Sequence, residues 1–157
     1  SSDLKFECNG KIVLVFTLDN ETVSPKNIKE LIKIEGEMKM KIKQILNRIY
    51  VNEMDQAVAF YENLLDEKCS MRFEHKQFHL ELAQVDCILI ICGKDEVLES
   101  FKNTKATFIV DSIIEFKDFL LENDASIMKD VKETPTGLNM IVKHFDGMIV
   151  EYVEQQK

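Results

Sequence analysis

The side chains that could do chemistry in this chain are few. His75, His79 and Glu81 form the densest group with ligand character. The run from Phe78 to Ala83 alternates apolar and polar residues, which on a strand puts His79 and Glu81 on one face, with His75 across a hairpin. Their spacing matches no zinc motif, so pocket lining and a solvated strand face compete with a metal site. The second group is Arg48 and Tyr50 in KIKQILNRIYV. Period-two alternation sets Leu46, Arg48 and Tyr50 on one face and Ile45, Asn47, Ile49 and Val51 on the other. The second set carries the bulk that a helix should cover, so Arg48 and Tyr50 are expected to face a cleft. There a guanidinium grips a carboxylate or phosphate, and a phenol stacks or donates a hydrogen bond. A solvated strand near an edge is the competing reading. The chain has no GxSxG elbow and no phosphate-cradling glycine loop ending in Lys-Ser or Lys-Thr, which removes support for hydrolase and nucleotide-binding readings.

These residues need a scaffold, and 157 residues with 45% apolar and 31% charged side chains can bury a core without disulfides or structural metal. The net charge of −8 opposes contact with nucleic acid and anionic membranes, so neither is expected as a partner. The longest apolar runs, Ile12 to Phe16 and Cys87 to Cys92, are far shorter than the roughly 20 residues of a membrane helix. No secretory signal pattern is visible at Ser1-Ser2-Asp3-Leu4-Lys5. Cys8, Cys69, Cys87 and Cys92 form no CxxC pair and read as reduced, buried thiols of a cytoplasmic protein.

From Met40 onward the hydrophobic period switches in a regular way. A strand over Lys41 to Val51 ends at Asn52, the expected N-cap of a helix carrying Met54, Ala57, Val58, Phe60, Tyr61, Leu64 and Leu65. Three short strands follow, over Met71 to His75, Phe78 to Ala83 and Cys87 to Cys92. The order recurs after a linker at Gly93 to Glu96: strand Ala106 to Val110, N-cap Asp111, a helix with Ile113, Phe116, Phe119 and Leu120, then strands Ser126 to Val131, Leu138 to His144 and Met148 to Val153. Placing Val51 on Val110 superposes Met54 on Ile113, Ala57 on Phe116, Phe60 on Phe119 and Tyr61 on Leu120, which makes this an internal repeat. The expected fold is α+β, with two paired βαβββ modules (about 41–93 and 104–154) whose sheets leave a concave cleft on the side away from the helices. Met71, Met128, Met140 and Met148 either line that cleft or belong to the core.

The stretch Val51-Asn52-Glu53-Met54-Asp55-Gln56-Ala57-Val58-Ala59-Phe60-Tyr61 with Leu64-Leu65 resembles the strand-to-helix signature of the vicinal oxygen chelate superfamily, which includes glyoxalases, extradiol dioxygenases and bleomycin-resistance proteins. The ending His144-Phe145-Asp146-Gly147-Met148-Ile149-Val150-Glu151 resembles its terminal DPDGN-x-x-E hairpin, with His144 in place of the first Asp and read as a turn residue. The resemblance covers Lys41 to Glu154. It implies metal ligands on the first strand of each module and on the last strand, positions that fall here on Leu46, Lys105 and Glu151. Only Glu151 can ligate a metal, and a lysine adds repulsion, so no metal and no cofactor are expected. If first and last strands are neighbours, Lys105 and Glu151 stand side by side as an ion pair, either binding a polar ligand or compensating locally for a lost site.

Residues 1–39 lie outside the resemblance and are expected to form an extension: a hairpin turning at Asn9-Gly10 and a helix starting near Ser24-Pro25. Residues 40–157 form the glyoxalase/bleomycin-resistance-like domain. The expected function is small-molecule binding without the family metal site, by Arg48, Tyr50, His79, Glu81, Lys105 and Glu151, in a homodimer as the resemblance implies. The alternative is a metal-dependent lyase or dioxygenase-like enzyme whose rearranged site combines Glu151 with His79 or Glu81.

Overall fold

The computed structural model describes residues 2–8, 11–18 and 40–156. The chain divides into two compact units, Ser1–Met38 and Lys39–Lys157. In the first, β1 (Ser2–Cys8) and β2 (Lys11–Leu18) pair antiparallel with Cys8 opposite Lys11, the register that a two-residue Asn-Gly connection demands. The helix expected from Ser24-Pro25 lies outside the described residues.

The second unit runs β3 (Ile42–Val51), α1 (Met54–Leu65), β4 (Cys69–His75), a 3-10 turn (Lys76–Phe78), β5 (Leu80–Val85), β6 (Ile88–Cys92), α2 (Asp95–Leu98), β7 (Thr104–Val110), α3 (Ile113–Glu122), β8 (Ser126–Thr134), β9 (Gly137–Lys143) and β10 (Ile149–Gln155). This is the βαβββ order twice. All eight strands share one curled sheet in the order β4-β5-β6-β3-β7-β10-β9-β8. Each module's first strand lies parallel to its own last strand, and the two first strands pair antiparallel at the centre, with Leu46 opposite Thr107. The modules therefore join edge to edge within one chain. Among the described residues no helix is long and apolar enough to cross a membrane.

The helices cover one face of the sheet. Met54 and Ala57 of α1 pack with Ala83, Val85 and Ile90, while Ile113, Phe116 and Leu120 of α3 pack with Val110, Met140, Val142, Val150 and Tyr152. The repeat holds at these positions but not at its third pair: Phe60 and Phe119 are 58% and 46% exposed. At 3.6 residues per turn, a residue six places after the first buried one lies about 120° around the helix, off the covered stripe. Leu64 is exposed as well.

The caps also differ from the sequence expectation. Glu53 and Ser112 occupy the N-cap positions, and neither side chain makes a capping hydrogen bond. Asn52 instead donates through Nδ2 to the Gly93 carbonyl (3.0 Å) and to Asp95 Oδ1 (2.9 Å). Asp111 Oδ1 accepts from the Lys41 amide at 2.9 Å, and the Asp111 amide donates to the Lys41 carbonyl at 3.1 Å. Both side chains tie the end of a first strand to a neighbouring segment.

Leu46, Leu80, Leu89, Ile91, Leu98 and Ile109 form a third cluster on the opposite face. Leu98 comes from α2, so the module-1 half of that face is filled by the linker between the modules.

Two hairpin glycines should respond differently to substitution. Gly137 has φ +144°, and a Cβ there would stand 2.0 Å from the Glu154 carbonyl oxygen, whereas Gly147, at φ +90°, has nothing within 4 Å of that point. Gly147→Ala is expected to cost about 1–2 kcal/mol in urea denaturation, and Gly137→Ala more than about 3 kcal/mol because backbone must move as well.

Candidate functional site

The three central strands β3, β7 and β10 bring Leu46, Thr107 and Glu151 into one cross-strand row on the face away from α1 and α3. Two residues along β3, Arg48 reaches over this row. Its Nη2 lies 3.0 Å from Glu151 Oε1, and the two side chains are only 7% and 19% exposed. Arg48 Nε donates to Thr107 Oγ1 at 2.9 Å, and Nη1 donates to the Tyr50 hydroxyl at 3.2 Å. Thr107 Oγ1 donates to Glu151 Oε1 at 3.2 Å, and Asn139 Nδ2 donates to Glu151 Oε2 at 3.3 Å. Tyr50 directs its single phenolic proton at two carbonyl oxygens, those of Phe101 and Thr104, each 2.6 Å away. Every atom of the carboxylate is thus spoken for, the condition under which a largely buried ion pair is tolerated.

The strand register read from the sequence holds: Leu46 and Tyr50 belong to the cluster away from the helices, and Ile49 and Val51 to the cluster under α1. Arg48, Tyr50 and Glu151 are brought together. Lys105 is not. Its side chain is exposed and its Nζ lies 3.4 Å from the Lys102 carbonyl oxygen. The β7–β10 register slips between Thr104 and Ala106, so the residue level with Glu151 is Thr107, and the expected Lys105–Glu151 pair is replaced by Arg48–Glu151.

Glu81 and His79 lie elsewhere as well. Glu81 shares the helix-covered side with Ala83, where Arg72 bridges it (2.5 Å) to Asp55 of α1 (2.7 Å). These two carboxylates raise the Arg72 pKa, the Glu81 hydrogen bond contributing most. His79 is not on a strand: it follows the 3-10 turn at φ +53° and is exposed. His75 packs against Phe78, their ring centroids 4.7 Å apart. The alternation of Phe78 to Ala83 misleads because β5 begins only at Leu80.

The sequence reading missed Thr107 and Asn139. A signal for Thr107 was present, since Arg48 and Thr107 each stand three residues before the valine that closes the first strand of their module. The equivalence extends across the strand pairs: Arg48 faces Leu89 in module 1 as Thr107 faces Glu151 in module 2. One half of the concave face is consequently apolar and the other polar.

The resemblance seen in the sequence implies a cation ligand at Glu151. The residues here do not fit one: the carboxylate is turned to a guanidinium, a hydroxyl and a carboxamide donor, and Leu46 offers nothing. Among the described residues no group of three or more His, Cys, Asp or Glu could hold a metal ion. Cys69, Cys87 and Cys92 are free and half-buried.

A cavity of about 510 Å³ opens on the other side of the sheet, beside α3, lined by Phe116, Phe119, His144, Phe145 and Tyr152 among others. His144 Nε2 lies 2.8 Å from the Tyr152 hydroxyl, so the histidine of the terminal turn has a packing partner. Burial pushes the Tyr152 phenol up to about 12.

The sheet with its doubled βαβββ order is the fold of the vicinal oxygen chelate superfamily, and comparison with solved structures agrees. An uncharacterized protein from Methanosarcina mazei is 51% identical, covering 74% of this chain and 95% of its own, with a TM-score of 0.71. Methylmalonyl-CoA epimerase from Mycobacterium tuberculosis is 12% identical (74% and 90% covered, TM-score 0.60), and a hypothetical protein from Bacillus halodurans C-125 is 16% identical (75% and 96% covered, TM-score 0.59). The chain belongs to the family of the Methanosarcina mazei protein. No protein-family model and no curated protein matches it.

Two outcomes follow from this geometry. Arg48→Ala should destabilise the domain by about 3–5 kcal/mol by leaving Glu151 buried without its cation, whereas Lys105→Ala should stay within about 0.5 kcal/mol. Urea denaturation of both variants checks this. Tyr152 holds its proton more tightly folded than unfolded, so its contribution to stability is complete below about pH 10 and is lost as pH rises toward about 12. An ultraviolet phenolate titration should show a step near pH 12, and Tyr152→Phe should remove that step.

Proposed function

We propose that the chain is a small-molecule-binding protein of the vicinal oxygen chelate type, working without the family metal and using the concave face around Arg48 and Glu151. The observation that carries this reading is the ion pair itself. A largely buried pair is a poor stabilising device, since an apolar pair of similar volume does as well or better. Placing one at the centre of the curled sheet supports a binding role. Arg48 gives one of its five guanidinium N–H donors to Thr107 and one to Tyr50 and pairs with Glu151 at 3.0 Å, and its remaining N–H groups have no other partner among the described residues. They are suited to a carboxylate, phosphate or carbonyl oxygen of a ligand. Tyr50, Met71, Leu82 and Phe101, all half-buried, supply apolar surface beside them.

The homodimer expected from the resemblance belongs to this proposal, although the eight-stranded sheet is complete in one chain. Sedimentation equilibrium showing a monomer at every concentration removes that part.

Native mass spectrometry and elemental analysis of the full chain, with a ligand-detected NMR screen, test the main reading. The expected result is less than one equivalent of Zn, Fe, Mn or Ni, and hits that shift the amides of Thr107, Asn139 and Glu151. One equivalent of metal that disappears in Glu151→Ala, or hits that shift only residues under the helices, overturns it.

A further inference from the structure

We infer that the module-2 half of the concave face is an anion-binding surface whose ligand is a small molecule carrying two negative charges on an apolar body. This rests on the reading above and names the ligand class.

Strand register decides which side chains face this surface. Val142 and Met140 of β9 are buried under α3, so Asn139, Ile141 and Lys143 point to the concave side, as the Asn139 bond to Glu151 shows. In β8, Lys129 pairs with Ile141 and Lys132 with Asn139, which puts both lysines on that side. The irregularities in β8 turn Asp130 and Val131 the other way: Asp130 pairs with Lys117 of α3 at 2.7 Å, and Val131 packs into the core beneath that helix. Glu133 and Glu154 both stand level with Leu138, which packs under the helix, and so also face away.

Lys129, Lys132 and Lys143 therefore share one face with a single carboxylate, Glu151, which Arg48 already neutralises. All three are exposed, and none has an ion-pair partner among the described residues. In a chain of net charge −8, three uncompensated lysines on two neighbouring strands are a local inversion of sign. Like charges on neighbouring strands repel, and an anion from solution relieves the repulsion. Ile141, Ile149 and Val153, half-buried between the lysines and Arg48, provide an apolar floor. A monoanion would leave most of the charge unmet. A dianion with a small apolar framework matches both the lysines and the floor.

The test uses the full chain and two probes, phenyl phosphate and phthalate, with benzamide as the neutral counterpart, followed by NMR shifts of β8–β10 amides and by calorimetry. Saturable binding of at least one dianion, weakened at least about tenfold in Lys129→Gln/Lys132→Gln/Lys143→Gln and unchanged in Lys117→Gln on the helix side, is expected. A phosphate-only or dicarboxylate-only response identifies the charged group. No dianion binding below roughly 10 mM, or equal binding by the triple variant, overturns the inference. So does a single-stranded oligonucleotide that binds through the same lysines more tightly than either dianion. Benzamide binding at Thr107 and Asn139 without dianion binding rejects the charge assignment while leaving the concave face a binding site. The three lysines are exposed, so an unchanged thermal midpoint certifies the folded triple variant.

Discussion

The antiparallel pairing of β3 with β7 is the constraint on which the rest of the domain depends. It fixes Leu46 opposite Thr107, and with that register it decides which residues of the two modules can meet across the centre of the sheet. A slip of one residue would send Arg48 under a helix and every apolar neighbour out of its cluster. The parallel pairings of β6 and β10 with these two strands then set Leu89 and Glu151 beside them. The arrangement has approximate twofold symmetry in backbone and none in chemistry. Module 1 places leucine where module 2 places glutamate, and α2 fills the first half with Leu98 while the second half keeps Glu151 with its Thr107 and Asn139 partners.

Asymmetry of this kind gives a duplicated scaffold a concave face with direction. Were both halves apolar, the curled sheet would close as an ordinary core. Were both polar, the desolvation of two charged pairs would have to be met by hydrogen bonds that three strands cannot supply. One buried pair with its hydroxyl and carboxamide partners is about what the central strands can satisfy, and Arg48 reaches it from the neighbouring module.

The scaffold was largely legible in the sequence. Period-two and period-3.6 patterns separate strands from helices, and the superposition of Val51 on Val110 finds the repeat. The face of Arg48 and Tyr50 follows from bulk alone. What failed were positions where a strand is irregular or begins late. Lys105 lies at a slip in β7 and His79 in a turn before β5, and neither slip nor turn leaves a mark in residue type. Glu81 alternates with Leu80 and Leu82, which face the concave side, so it turns with Ala83 to the helix-covered side and away from the expected ligand set. Asn52 and Asp111 look like helix caps because their side chains bond backbone readily; here the same capacity is used between segments distant in sequence. Partners chosen at long range are what a local pattern cannot see.

The segment between the modules is fastened at both ends, by the Asn52 amide on the Gly93 carbonyl and by the Tyr50 phenol at the carbonyls of Phe101 and Thr104, with Leu98 buried between them. Exchange of modules between two chains requires such a connector to straighten. In doing so it would expose Leu98 and strand the Tyr50 hydroxyl, so the connector acts as a latch against swapping. With Leu98 buried and the Tyr50 proton satisfied only in the bent connector, opening it carries a free-energy cost that pairing of the two modules within one chain does not.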